Sequence, residues 1–249
     1  MSELSEVKII GSGTIAGGEY SEVSINGKGR ANGDISCTEL KVNGNADCKG
    51  RVVCKDGVII KGIVRIEKEL EAKTLKSFGK LTVKGNASLD DTDLNGVFDC
   101  EGKLCSSKLV VSGSVKAKSD IEAENINITG SVNCDGLINA ENITLKMESK
   151  NMHVGSIGGG MITAYPGYTD NVVNKITPLK KVLKALNTSC KLIVKESIEG
   201  DILNLECVEA SSVCGRIVII GEGCQIDKVQ YSEKLEIAEG ATVGSQIKV

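Results

Sequence analysis

Apolar residues come in short alternating pairs along most of this chain, and the pairs recur at an interval marked by glycine. Gly27, Gly44, Gly62, Gly79, Gly96, Gly113 and Gly130 are separated by 17, 18, 17, 17, 17 and 17 residues. Four and two residues before each glycine stand Val23/Ile25, Leu40/Val42, Val58/Ile60, Leu75/Ser77, Thr92/Leu94, Leu109/Val111 and Ile126/Ile128. Two and four after it stand Gly29/Ala31, Ala46/Cys48, Val64/Ile66, Leu81/Val83, Phe98/Cys100, Val115/Ala117 and Val132/Cys134. Eight and ten after it stand Ile35/Cys37, Val52/Cys54, Leu70/Ala72, Ala87/Leu89, Leu104/Ser106, Ile121/Ala123 and Ile138/Ala140. Alternation of period two marks a short strand with one buried face. A short unit repeated at constant spacing marks a stack of such units.

Three short strands and three bends per unit predict one turn of a triangular coil. The recurring glycine, and a second glycine-rich column at Gly33, Gly50, Gly85, Gly102 and Gly136, supply backbone freedom at the corners. Stacking merges the inward columns into one core and leaves residues such as Lys41, Lys76 and Asp93 in water. The expected fold is therefore an all-β parallel β-helix with turns of about 17 residues. Val7, Ile9, Gly11, Gly13, Ile15 and Gly17 carry the pattern one unit upstream of Gly27.

The pattern weakens after Leu145. Residues 150–191 contain both prolines, Pro166 and Pro178, the one histidine, His153, and the run Gly158-Gly159-Gly160. Proline lacks a ladder donor, so this segment is expected to leave the coil as an irregular insert. Within it Leu179, Val182, Leu183 and Leu186 have helical spacing, with Lys180, Lys181 and Lys184 on other faces, which predicts one short amphipathic helix. A coil resumes beyond it, where Val218 and Leu235, Cys224 and Ala241, and Ile226 and Val243 are each 17 apart. The expected divisions are a main β-helix over 7–149, an insert over 150–191 and a second β-helical block over 192–249.

Composition narrows the function classes. Hydrophobic residues make up 41% and aromatics 2%, as a narrow interior that favours Val, Ile, Leu, Ala and Cys would require. The net charge of −3 comes from nearly balanced signs, without the basic surface and stacking aromatics of a nucleic-acid binder. No apolar run approaches the ~20 residues of a membrane span, and residues 1–6 lack the features of a secretory signal. A cytoplasmic location without membrane insertion is expected, with peripheral membrane association left open.

Ten cysteines raise the question of metal or disulfides. Cys37, Cys48, Cys54, Cys100 and Cys134 stand in apolar columns and Cys105 beside one, and a buried free thiol behaves as a small hydrophobe. No CxxC occurs and His153 has no histidine partner, so neither a metal site nor a cofactor is expected. Residues 11–17 and 155–160 look loosely like phosphate loops but lack the following lysine and hydroxyl residue. Near-neutral titration makes His153, near Tyr165 and Tyr168, a weak acid–base option. Asp90 and Asp91 fit a solvated corner.

A stack of β-turns has two ends with unpaired strand edges, and such an edge is a template for another chain. Neither end of the coil shows a capping element in the sequence, so end-to-end self-assembly is expected. The candidate assembly residues are Ile9 and Ile15 at one end and Val243 and Ile247 at the other.

The repeated units KVNGNADCKG at 41–50 and INITGSVNCDG at 126–136, with their 17-residue spacing, resemble the bactofilins, bacterial polymer-forming cytoskeletal proteins. The stretches at 10–20, 155–159, 198–202 and 221–226 are similar to longer family members found in Firmicutes. The resemblance implies a right-handed β-helix that polymerises into non-polar filaments without nucleotide. It also implies a non-catalytic scaffold role in cell shape, polar organisation or motility, with the chain itself or a paralogous bactofilin as partner. The alternative is a β-helix enzyme, either an acyltransferase or a polysaccharide-acting enzyme. Hexapeptide acyltransferases use 18-residue turns and a histidine between coils, and the polysaccharide enzymes use an acidic, aromatic cleft; neither matches this chain.

Overall fold

The computed structural model describes residues 4–148, 151–167 and 190–249. The described residues form parallel β-helix, with no α-helix among them. The chain divides into two compact units, Met1–Ala123 and Glu124–Val249.

The first unit contains β1 (Val7–Ile15), β2 (Gly18–Glu19), β3 (Glu22–Ala31), β4 (Ile35–Cys48), β5 (Val52–Ile66), β6 (Leu70–Ser77), β7 (Lys80–Val83), β8 (Ala87–Cys100) and β9 (Leu104–Ala117). Every pairing among them is parallel, each strand lying beside its counterpart one turn away. Val7 pairs with Val23, a step of 16, whereas Val23 pairs with Leu40 and Leu94 with Val111, steps of 17. One longer step appears as a register shift, from 17 at Cys37 and Cys54 to 18 at Glu39 and Gly57. The three apolar pairs of each turn point inward: Leu40, Val42, Ala46, Cys48, Val52 and Cys54 are all buried. Phe98 is fully buried in the column otherwise held by Ala46, Val64, Leu81 and Val115, so the interior admits one ring where its neighbours are aliphatic.

The three corners use different chemistry. At the first, Gly27, Gly44, Gly62, Gly96 and Gly113 have φ between 126° and 151°, a region side chains disfavour. A Cβ on Gly44 would also fall within 3.0 Å of the Gly27 carbonyl oxygen, and the same clash repeats up the stack. At the second corner, Asp34 Oδ1 accepts the Arg51 N–H at 2.8 Å and Asn86 Oδ1 accepts the Lys103 N–H at 2.9 Å. Here successive turns carry Lys49, Glu67, Lys84, Glu101 and Lys118, so opposite charges stack. Lys84 lies 2.5 Å from Glu67, and Lys118 lies 3.1 Å from Glu101. The Lys84 hydrogen bond lowers the pKa of Glu67. At the third corner the Ser106 hydroxyl lies 3.1 Å from Thr92 Oγ1 and 2.9 Å from the Asp90 and Lys108 carbonyl oxygens, which satisfies two polar residues inside the core.

The second unit contains all but the first three residues of β10 (Ile121–Met147) and continues through β11 (Met152–Pro166), β12 (Leu192–Leu205), β13 (Val208–Ile220), β14 (Gln225–Ile237) and β15 (Thr242–Lys248). The irregular insert expected over 150–191 is corrected for its first part, because Met152–Pro166 is a coil strand, while residues 168–189 lie outside the described residues. Ile143 pairs with Ile162, and Ile162 with Leu203. Gly159 stacks at a corner where a Cβ would strike the Ala140 carbonyl, and Pro166 is tolerated because it is the last residue of its strand. The helix expected at Leu179, Val182, Leu183 and Leu186 lies outside the described residues. Steps in this unit vary more: 20 between Cys134 and Val154, 19 between Ile143 and Ile162, 41 between Ile162 and Leu203, and 15 between Ile198 and Val213, returning to 17 between Ile226 and Val243.

Two substitutions test these assignments by chemical denaturation. Gly44→Ala forces a side chain onto a left-handed backbone and should cost at least ~1–3 kcal/mol. Ser77 is buried in a column beside Ile60 and Leu94, and its hydroxyl has no hydrogen-bond partner. Ser77→Ala should therefore stabilise by about 1 kcal/mol. A neutral Gly44→Ala, or a destabilising Ser77→Ala, would contradict the stacking described.

Candidate assembly edges

Among the described residues β1 pairs along its length with β3 alone, and β15 with β14 alone. Each therefore carries one row of ladder donors and acceptors that no described strand fills. Gly11 and Gly240, at the corners of these turns, would each place a Cβ in open space.

The two edges differ in how their apolar residues lie. At the amino-terminal edge Ile9 and Ile15 are core residues, 8% and 3% exposed. Ile9 bends over Gly13, where an added Cβ would lie 3.2 Å from Ile9 Cγ2, so the missing side chain lets the isoleucine close over its own turn. Outward-facing Ile10 is 77% exposed. At the carboxy-terminal edge Leu235 and Val243 are half-buried and Ile237 is 38% exposed. Val243 continues the inward column below Ile226. Ile247 is 41% exposed and stands in register with Gln230, on the outer surface rather than in the core. The inward positions next to it are held by Gln246 and Lys248, below Val229 and Tyr231.

The remaining sequence candidates occupy separate places. His153 is exposed on β11 in register with Ile193, its backbone N–H donating to Asn133 Oδ1 at 3.1 Å. Tyr168 lies outside the described residues, and Tyr165 sits on β11 beside Lys146. Residues 11–15 are strand, flanked by a groove of about 620 Å³ that includes Ser12, Thr14, Lys28 and Arg30. Arg30 is paired there with Asp47 at 3.5 Å. Asp90 and Asp91 are exposed at the third corner. No helix among the described residues is long and apolar enough to cross a membrane. Among the same residues no group of three or more His, Cys, Asp or Glu side chains is placed to hold a metal ion.

The thiols follow the columns. Cys37, Cys48, Cys54, Cys100, Cys134 and Cys224 are buried, while Cys105, Cys190, Cys207 and Cys214 are half-buried. Burial pushes Cys48 up to about 12 and Cys100 and Cys224 up to about 11. Cys37 and Cys54 stack on adjacent turns with their sulfurs 3.5 Å apart. The contact lowers the first thiol and, with burial, raises the second.

Over 250 aligned positions the chain is 28% identical to an uncharacterized protein, YhbE, of Bacillus subtilis strain 168, and the match covers the whole of both chains. A second Bacillus subtilis protein, the uncharacterized YhbF, is 29% identical over 112 residues, 45% of this chain and 41% of that one. No protein-family model matches the chain, and no solved structure matches it.

The thiol environment has a pH signature. A group whose folded pKa lies above its unfolded value stabilises the fold below the unfolded pKa and loses that contribution as pH rises through the folded one. For Cys48, Cys100 and Cys224 the loss should run from about pH 9 to between about pH 11 and 12. The thermal midpoint should fall across that window, and Cys48→Ala should flatten the fall. At neutral pH these three should react with iodoacetamide only after unfolding; their labelling in the native protein would refute their placement.

Proposed function

We propose that this chain is a non-catalytic scaffold that assembles end to end, edge strand on edge strand, into filaments that need no nucleotide. The observation that carries the reading is the pair of edge strands, β1 and β15, each with one described partner in a ladder that is parallel throughout. An open ladder gains backbone hydrogen bonds from another strand in the same geometry that already joins its own turns. Closing the edge also covers Ile237 and Val243. The glycine-marked repeats resembling bactofilins favour the same reading. They extend it to a bacterial cytoskeletal role in cell shape, polar organisation or motility, with the chain or a paralogue as partner, in the cytoplasm and peripherally at the membrane.

Purified protein, free of nucleotide and chelated of metal, should sediment as filaments visible by negative-stain electron microscopy. Val243→Lys places a charge in the apolar column of the terminal turn, and the device is one natural sheets use to keep edges apart. It should convert filaments into small species with β-sheet circular dichroism retained. A wild-type protein that remains monomeric at high concentration would overturn the proposal.

A further inference from the structure

The two edges match one another in spacing and in charge. Val7, Ile9, Gly13 and Ile15 on the amino-terminal turn are spaced by two, four and two residues, and so are Leu235, Ile237, Ala241 and Val243 on the carboxy-terminal turn. Laid parallel in that register, the partly uncovered Ile237 meets the closed floor made by Ile9, and Val243 meets Ile15. The outward residues between them then oppose with complementary signs. Lys234 falls on Glu6 and Glu236 falls on Lys8, and all four are exposed.

The coil already contains this arrangement internally. Lys41 lies 2.7 Å from Glu39, two residues before it on its own strand, and 3.2 Å from Glu22 on the neighbouring turn. Glu6 and Lys8 occupy the same lines, since Val7 pairs with Val23 and Val23 with Leu40. At the other edge Lys234 and Glu236 form a same-strand pair at 2.6 Å, leaving the neighbouring-turn position for a further partner. An edge placed against its own copy by a two-fold axis would instead pair its strands antiparallel, against the parallel ladder that joins the described turns of the coil.

Resting on the end-to-end reading, we propose that the carboxy-terminal edge takes the amino-terminal edge of a second copy, head to tail, as a continuation of the parallel ladder. The contact is heterologous, and repetition gives a polar filament, unlike the non-polar filaments that the bactofilin resemblance implies.

Charge swaps test this directly. A head variant, Glu6→Lys with Lys8→Glu, and a tail variant, Lys234→Glu with Glu236→Lys, each set like charges against a native edge. Each alone should raise the critical concentration for assembly roughly tenfold, the scale of two surface pairs turned from attraction to repulsion. Combining both swaps in one chain should restore assembly. An equimolar mixture of the two variants should restore it too, because each head then meets a tail of opposite pattern. Circular dichroism and thermal melting show that the exposed substitutions leave the coil folded. Single variants that assemble as well as the wild type, or a mixture that restores nothing, would overturn the head-to-tail contact while leaving end-to-end assembly standing. A wild type that forms no filaments would overturn the reading beneath it, and this contact with it.

Discussion

A backbone carbonyl of one turn lies where the Cβ of the next would be, and the glycine corner of the first unit exists because of that crowding. At Gly44, Gly62, Gly96 and Gly113 the left-handed φ and the approach of the preceding carbonyl act together. Either one would disfavour a side chain, and both together leave glycine. Once that corner is set, adjacent strands lie in register, the columns before and after it face inward, and the step per turn is held near 17 residues. Departures from the step are absorbed at the corners, and the longest step of the first unit at the third. There the register shifts between Cys37 and Glu39 while Leu40 still pairs with Val58.

Register in a parallel stack needs more than an apolar core, because Val, Ile and Leu columns tolerate a slip of a whole turn. The second corner adds discrimination. Its alternating lysines and glutamates attract in the native register, and a slip of one turn would set like charges side by side. Exposed pairs are individually weak, so their contribution is to choice among registers more than to stability. Thr92 and Ser106 act similarly inside the core, since moving either by one turn would separate the two hydroxyls.

The columns of the first unit were legible because glycine marks their phase at every turn. The alternating charges five residues after Gly44, Gly62, Gly79, Gly96 and Gly113 were equally present in the sequence, in a column that the apolar pattern does not touch. The second unit was harder to read because its corners change character: Asn151, Cys207, Gly223 and Gly240 take up the positive φ there. Without a recurrent glycine, Pro166 and Gly158 to Gly160 suggested a departure from the coil, although a proline can end a strand and small residues can crowd a corner. Ile247 was misread for a related reason. Counting by twos from Val243 reaches Ile247, but a corner lies between Val243 and Gln246, and the alternation changes phase across it. The closure of Ile9 over Gly13 also escaped the pattern, since the sequence shows two inward positions but not which one fills the other's space.

A coil built by one chain advancing in one direction has chemically different ends. The first turn starts with Ile9 already tucked over Gly13, whereas the last described turn has Leu235, Ile237 and Val243 incompletely covered and Gln246 and Lys248 at inward positions. A polar residue at an inward edge position disfavours promiscuous pairing by any apolar strand. In the end-to-end assembly proposed above, a partner would offer small or polar residues beneath Gln246 and Lys248 as well as apolar ones beneath Ile237 and Val243. The first turn has that composition, with Gly18 and Tyr20 standing above Ile35 and Cys37 in the corresponding columns. In that proposal polar edge residues narrow the choice of partner, while apolar columns and open ladder bonds supply the attraction.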